Sequence, residues 1–158
     1  MASKVSKITF GILKPDCILR NLEDQLFGEM TIRDFKIIKR KRKVFDEKDV
    51  YFLYGHCKDE DFFHGLLKYM CHDSSVVFIA GLFDGRDAID EMNELVGYYV
   101  PSVAAEGSLR KKYAIPDFLP YNVIQTLIHS SSDKETARRE TKYFFPVFYS
   151  IYKVIGYL

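Results

Sequence analysis

His129 ends an apolar run, Tyr121 to Ile128, and is followed by Ser130, Ser131, Ser132 and Asp133. Near pH 7 a neutral imidazole is both abundant and nucleophilic, so such a histidine can accept a transferred group. A carboxylate that accepts from one ring nitrogen fixes the tautomer and leaves the other nitrogen free to attack. Glu140 stands eleven positions on, in a helical stretch from which it could fold back to the ring. Taken alone, it reads first as an ordinary solvated helix charge. Lys14-Pro15-Asp16 stops the apolar run Ile8 to Leu13 and could set a cation at the end of a sheet. Arg110, Lys111 and Lys112 lie in a long irregular stretch, where they either meet a polyphosphate or make a mobile basic loop.

The elements that must position these groups are readable from periodicity. Ile8–Leu13 is expected as a buried strand, and Ile18, Leu19, Leu22, Leu26, Phe27 and Met30 fall at helical spacing. Phe35 to Phe45 reads as a strand with a basic run at its centre. Asp46-Glu47-Lys48-Asp49 suits the first turn of a helix that continues through Val50, Leu53 and Tyr54. A short helix is expected over Glu60 to Met70, a strand over Ser75 to Phe83, and a helix over Asp87 to Val96. From Gly97 to Pro120 the pattern dissolves into a loop of the kind that is more often functional than idle. Tyr121 to Ile128 is expected as a strand, and Ser132-Asp133-Lys134-Glu135 as a capping box opening a helix to about Tyr143. Two β-α-β halves in this order predict an α/β sandwich of the ferredoxin-like sort (α+β), an antiparallel sheet covered by helices.

Composition bounds the rest. With 158 residues, 47% of them hydrophobic, the chain can bury a core without disulfides. It has 13 Phe, 11 Tyr and few glycines and prolines, which excludes a disordered or collagen-like chain. Twenty-three Lys and Arg against 22 Asp and Glu leave no global field toward nucleic acid or membrane. Cys17, Cys57 and Cys71 are odd in number and far apart, arguing against a zinc knuckle or a disulfide framework and for a reducing, cytoplasmic setting. The N-terminus has no apolar core of signal-peptide length, and Phe144 to Leu158 is too short and too interrupted to span a bilayer. His56, His64 and His72 make no metal-like pairing and are expected to be structural or on the surface. The run Lys39 to Lys43 superficially suggests nucleic-acid binding, but inside a strand its side chains alternate faces, which points to an exposed edge or a strand end.

The pieces converge on one resemblance. The chain resembles the nucleoside diphosphate kinases over roughly Ile8 to Pro146. The matching residues are Lys14-Pro15-Asp16 with Arg20 and Leu22, Tyr54, Phe62-Phe63, Gly65-Leu66, Lys68-Tyr69-Met70, Gly97 with Pro101, Gly107-Ser108-Leu109-Arg110, and Ile128-His129-Ser130-Ser131 followed by Glu140. Their order and spacing carry the likeness more than any one of them. It implies one domain over residues 1–158, with 144–158 a tail packing on the fold or on a neighbouring subunit of a hexamer or tetramer. It implies a ping-pong kinase in which His129 takes a γ-phosphoryl group from a nucleoside triphosphate and gives it to a diphosphate. Glu140 and Ser131 would hold the imidazole, Lys14 would neutralise phosphate and reach the ribose, and Tyr54 would help position the phosphoryl group. Phe62 would stack on the base, Leu66 would pack against it, and Arg110 would meet the phosphates, with Mg2+ bridging them and no protein metal ligands. Stacking without base-edge hydrogen bonds would tolerate every base.

The departures from the family's pattern are specific. Its arginine four places before the glycine matching Gly97 is Asn93 here, and the threonine and asparagine just after that glycine are Tyr99 and Val100. Each lost charge-assisted contact could cost roughly 1.5 to 3 kcal/mol, or about ten- to a hundredfold. Lys111, Lys112 or Arg86 are the cations that could substitute. The stretch from Ile115 to His129 is longer than usual, and the asparagine expected three places before the histidine is Thr126, whereas Asn122 lies seven before. An insertion leaving Thr126 in that position is the favoured reading. The alternative function is a catalytically impaired nucleotide- or protein-binding module of the same fold.

Overall fold

A computed structural model describes residues 5–115 and 120–156. The Pro116 end of the long loop, the extreme N-terminus and the last two residues of the tail lie outside the described residues.

Four antiparallel strands form one sheet in the order β2-β3-β1-β4, with β1 Ile8–Leu13, β2 Lys36–Val44, β3 Ser74–Gly81 and β4 Ile128–Ser130. The expected ferredoxin-like sandwich is what the chain builds. β1 has neighbours on both sides and every residue of it is buried. Side chains alternate across a strand, so Val76, Phe78 and Ala80 point into one core and Val77 and Ile79 into the other. The first core packs under α2 (Glu23–Ile32) and α5 (Ala88–Val96). The second packs under α3 (Glu47–Tyr54), α4 (Phe63–His72), α7 (Lys134–Phe144) and α8 (Pro146–Val154). Gly11 gives the Phe78 ring its place, because a Cβ there would lie 2.3 Å from that ring.

Several local expectations need correction. The helical spacing from Ile18 to Met30 is split into α1 (Pro15–Leu19) and α2, because Asn21 turns the chain with φ of 54°. The long loop contains a short helix, α6 (Leu109–Tyr113), whose first turn is capped by the Ser108 hydroxyl. Tyr121 to Ile128 is not a strand: Tyr121, Asn122 and Leu127 all have positive φ, so pairing starts only at Ile128 and His129 sits inside β4. Helix α7 is capped by Asp133, which accepts from the Thr136 N–H at 2.8 Å, one residue later than the expected box.

The basic run lies on β2, at the outer edge of the sheet, and its charges are anchored alternately on the two faces. Arg42 pairs with Glu23 at 2.6 Å and Arg40 lies over the Phe27 ring. On the other face Lys41 donates to the Phe144 carbonyl and Lys43 pairs with Asp49. The tail is α8, whose Phe148 is buried while Val147, Ile151 and Val154 are exposed. Among the described residues no helix is long and apolar enough to cross a membrane.

Candidate active site

His129 is fixed by its strand and by α7. It pairs with Ile12 across the ladder, and its ring is edge-on to Phe10 and Tyr54. The buried face of α7 is Ala137, Glu140, Thr141 and Phe144, the spacing of one helical stripe. Glu140 is on that stripe, so its carboxylate is carried inward to 1% exposure. There its Oε1 lies 2.9 Å from His129 Nε2, and its Oε2 accepts from the Ser131 hydroxyl. A carboxylate only accepts, so the ring proton sits on Nε2 and the Nδ1 lone pair is left free.

Two cations face this ring. Lys14 follows β1 directly and is buried, and its Nζ donates to Thr126 Oγ1 at 3.0 Å. Burial, with help from the Arg110 charge, pushes the Lys14 ammonium down to about 8, against an upward pull from Asp16. Arg110 reaches in from α6 and donates to three carbonyls, Gly97 at 2.8 Å, Thr126 at 3.3 Å and Ile128 at 2.6 Å. Burial lowers its guanidinium to about 10, which leaves it charged at neutral pH. Burial also raises the Tyr54 hydroxyl well above its ordinary value, so it stays a donor, and it has no hydrogen-bond partner among the described residues.

These groups meet at a cavity of about 700 Å³. Of the residues singled out by sequence, Lys14, Tyr54, Phe62, Leu66, Tyr99, Arg110, Thr126 and His129 line it, and Ser131 and Glu140 stand behind the histidine. Asn93 is not on the lining. Its amide donates to the Ser131 carbonyl and accepts from the Ser130 hydroxyl, so it braces β4 from outside the cavity. The candidate substitute cations are engaged elsewhere: Arg86 with Asp84, Asp34 and Glu91, Lys111 with Glu106, and Lys112 with Glu29.

The wall also holds His56, Cys57, Asn122, Val123 and Ile124. His56, expected to be structural or on the surface, is in the lining, and its closeness in sequence to Tyr54 was the available signal. Asn122 and Thr126 both line the cavity, so the longer stretch before His129 contributes at both positions. That stretch is seated on α4 at Gly65, where a Cβ would meet the Tyr121 carbonyl oxygen at 1.8 Å. No signal in the sequence marked Asp16 or Tyr69 beyond their place in motifs. Both are buried, and the Tyr69 hydroxyl donates to Asp16 Oδ1.

The nucleoside diphosphate kinase family profile matches residues 7–148. A nucleoside diphosphate kinase of Hydrogenovibrio crunogenus is 34% identical over 137 residues, covering 87% of this chain and 91% of that one. Among solved structures, the apo nucleoside diphosphate kinase of Encephalitozoon cuniculi superposes with a TM-score of 0.76 at 22% identity, covering 88% of each chain. The Borrelia burgdorferi enzyme, solved as a transition-state mimic with vanadate and ADP, gives the same TM-score and identity over 88% of this chain and 86% of that one. Those two likenesses establish the fold, and the sequence matches establish the lineage: the chain belongs to the nucleoside diphosphate kinase family.

Proposed function

We propose that the protein transfers γ-phosphoryl groups between nucleotides through His129 Nδ1. The observation that carries this is the Nε2–Glu140 contact at 2.9 Å beside a cavity whose lining holds the buried Lys14 and the half-buried Arg110. In the first half-reaction the Nδ1 lone pair bonds to the γ-phosphorus, the bond from that phosphorus to the β-γ bridging oxygen breaks, and the diphosphate leaves with the electron pair. The ring becomes cationic as it is phosphorylated, and the Glu140 carboxylate on Nε2–H stabilises that charge. A terminal oxygen of a second diphosphate then attacks the same phosphorus, and the imidazole is released neutral. Lys14 and Arg110 meet the phosphate oxygens, and the unpartnered Tyr54 hydroxyl donates to one of them. Phe62 offers an aromatic face to the base and Leu66 packs beside it.

Among the described residues, the cavity lining contains no carboxylate and there is no cluster of metal-ligating side chains. This donor set suits magnesium that arrives on the substrate, held by phosphate oxygens whose charge it offsets. The exposed α8 residues Val147, Ile151 and Val154 make an apolar stripe that suits a homo-oligomer, a hexamer or tetramer. The three free cysteines suit the cytoplasm.

The test is incubation with γ-labelled ATP and magnesium, then unlabelled GDP, with His129→Ala alongside. Acid-labile, alkali-stable label on the wild type alone, chased into GTP, is expected. Nucleotide binding without label would instead establish the binding-module alternative, favoured by Asn93, Tyr99 and Val100 at places where the family has arginine, threonine and asparagine.

A further inference from the structure

Leu127 is a buried leucine in the left-handed region, with φ of 62° and no exposed surface. That conformation is uncommon for any residue with a branched side chain, and it persists only where surrounding contacts over-determine it. Here they do. The Ile128 N–H donates to the Thr126 carbonyl at 2.6 Å, closing a three-residue turn centred on Leu127. The Leu127 carbonyl accepts from the Lys14 N–H at 2.8 Å. Its own N–H, turned inward by the same geometry, donates to Asp16 Oδ2 at 3.1 Å. The other Asp16 oxygen is held by the Tyr69 hydroxyl from α4, and the carboxylate is 4% exposed.

We propose that Asp16, clamped by Tyr69, is a positioning residue for phosphoryl transfer, holding the Leu127 turn so that Lys14 and His129 address the same phosphate. The turn has a cation-bearing contact on one side and the nucleophile on the other. Thr126, just before it, takes the Lys14 ammonium on its hydroxyl, and His129 follows two residues after. Without the Asp16 oxygen the Leu127 N–H is buried and unpaired, the turn relaxes toward an ordinary backbone conformation, and Thr126 and His129 move relative to Lys14. This inference rests on the catalytic reading above, and its test is arranged to fail separately from it.

Four variants separate positioning from stability: Asp16→Ala, Asp16→Asn, Tyr69→Phe, and Val50→Ala, in the second core and without a hydrogen bond to the clamp, as a stability control. In single-turnover labelling of His129 by γ-labelled MgATP, Asp16→Ala is expected to slow phosphorylation about tenfold or more. Tyr69→Phe should slow it less. Asp16→Asn keeps an oxygen for the Leu127 N–H and should recover most of the rate. It should also move the alkaline limb of the pH–rate curve to lower pH. The groups facing the Lys14 ammonium are Asp16 from α1, Arg110 from α6, the Tyr54 ring from α3, and Thr126 and His129 across the cavity. Among the described residues Asp16 is the carboxylate of that set. Val50→Ala should lower the unfolding midpoint at least as much as Asp16→Ala while leaving the rate unchanged.

The proposal is overturned if Asp16→Ala phosphorylates within about twofold of wild type, if Val50→Ala slows it equally, or if Asp16→Asn is no better than Asp16→Ala. Amide exchange supplies a readout independent of activity. The Leu127 and Ile128 amides should exchange faster in Asp16→Ala than in Val50→Ala. If wild type carries no label, the catalytic reading fails while that exchange difference still tests the clamp, and equal exchange removes it.

Discussion

Replacing Glu140 with Gln isolates the carboxylate's charge from its shape. A glutamine oxygen can still accept from His129 Nε2–H, and its amide can donate to the Ser131 hydroxyl, which has the Phe10 carbonyl within 3.4 Å to donate to instead. What disappears is a full negative charge beside a ring that becomes cationic on phosphorylation. With charge centres about 4 Å apart, an effective dielectric near 20 puts the ceiling at about 4 kcal/mol. Hydrogen bonds to charged groups contribute about 1.5–3 kcal/mol by substitution. A loss of about 2 kcal/mol is roughly thirtyfold in rate. Quench-flow labelling with γ-labelled MgATP should therefore show phosphohistidine forming roughly thirtyfold more slowly, with mant-ADP affinity changed less than about twofold. A labelling rate within about threefold of wild type would show that the charge does no catalytic work. An affinity loss as large as the rate loss would place Glu140 in binding rather than in the transition state.

Because Lys14 is pushed down to about 8, its cation fades as pH rises through that value, and polyphosphate affinity should weaken above it. Calorimetry in two buffers should register proton uptake on binding there, and pH-independent affinity would refute the assignment. Folding responds in the opposite sense. Between about 8 and 10.5 the unfolded chain holds more protons than the folded one, so this group's contribution to stability rises with pH across that window. Gly65→Ala should lower both the unfolding midpoint and nucleotide affinity, because the new methyl collides with the Tyr121 carbonyl. A rise in midpoint, as helix propensity alone would give at about 1 kcal/mol, would contradict that contact. Phe62→Ala should weaken mant-ADP binding by about 1–3 kcal/mol and leave inorganic triphosphate unaffected, and equal weakening of both would refute base stacking.

Much of the frame was legible because the sheet's burial is written in period. β1 and β3 are nearly continuous apolar runs, as strands covered on both faces must be, whereas the inner face of α7 at 137, 140, 141 and 144 includes a glutamate and a threonine that apolar spacing does not mark. That stripe also settles the open reading of Glu140, which is a buried carboxylate and not a solvated one. The apolar residues of the segment before His129 suggest a strand, while its course is set by left-handed turns at Tyr121, Asn122 and Leu127. None of these is glycine, and only Asn122 is of a type that favours the left-handed region, so Tyr121 and Leu127 carry no residue-type signal. Tertiary contacts help to hold them: Asp16 on Leu127, and close packing of Tyr121 on the glycine of α4. Asn93 stands where the family has an arginine, and its shorter side chain reaches Ser130 and Ser131 outside the cavity. The basic run was legible as an edge, since five consecutive cations put charge on both faces of a strand and neither face can then be apolar core.

β4, with only three residues, is laid against β1 late in the chain, and the Lys14–Thr126 hydrogen bond joins groups 112 positions apart. During synthesis the β1 half of the site exists long before the strand that carries the histidine leaves the ribosome. Pairings of such separation also form slowly, because a long loop must close before they are rewarded. Phosphotransfer competence therefore arrives as one of the last events of maturation. A stalled or C-terminally clipped product could keep β1–β3 pairing and still lack His129 and Glu140, on which the proposed transfer depends.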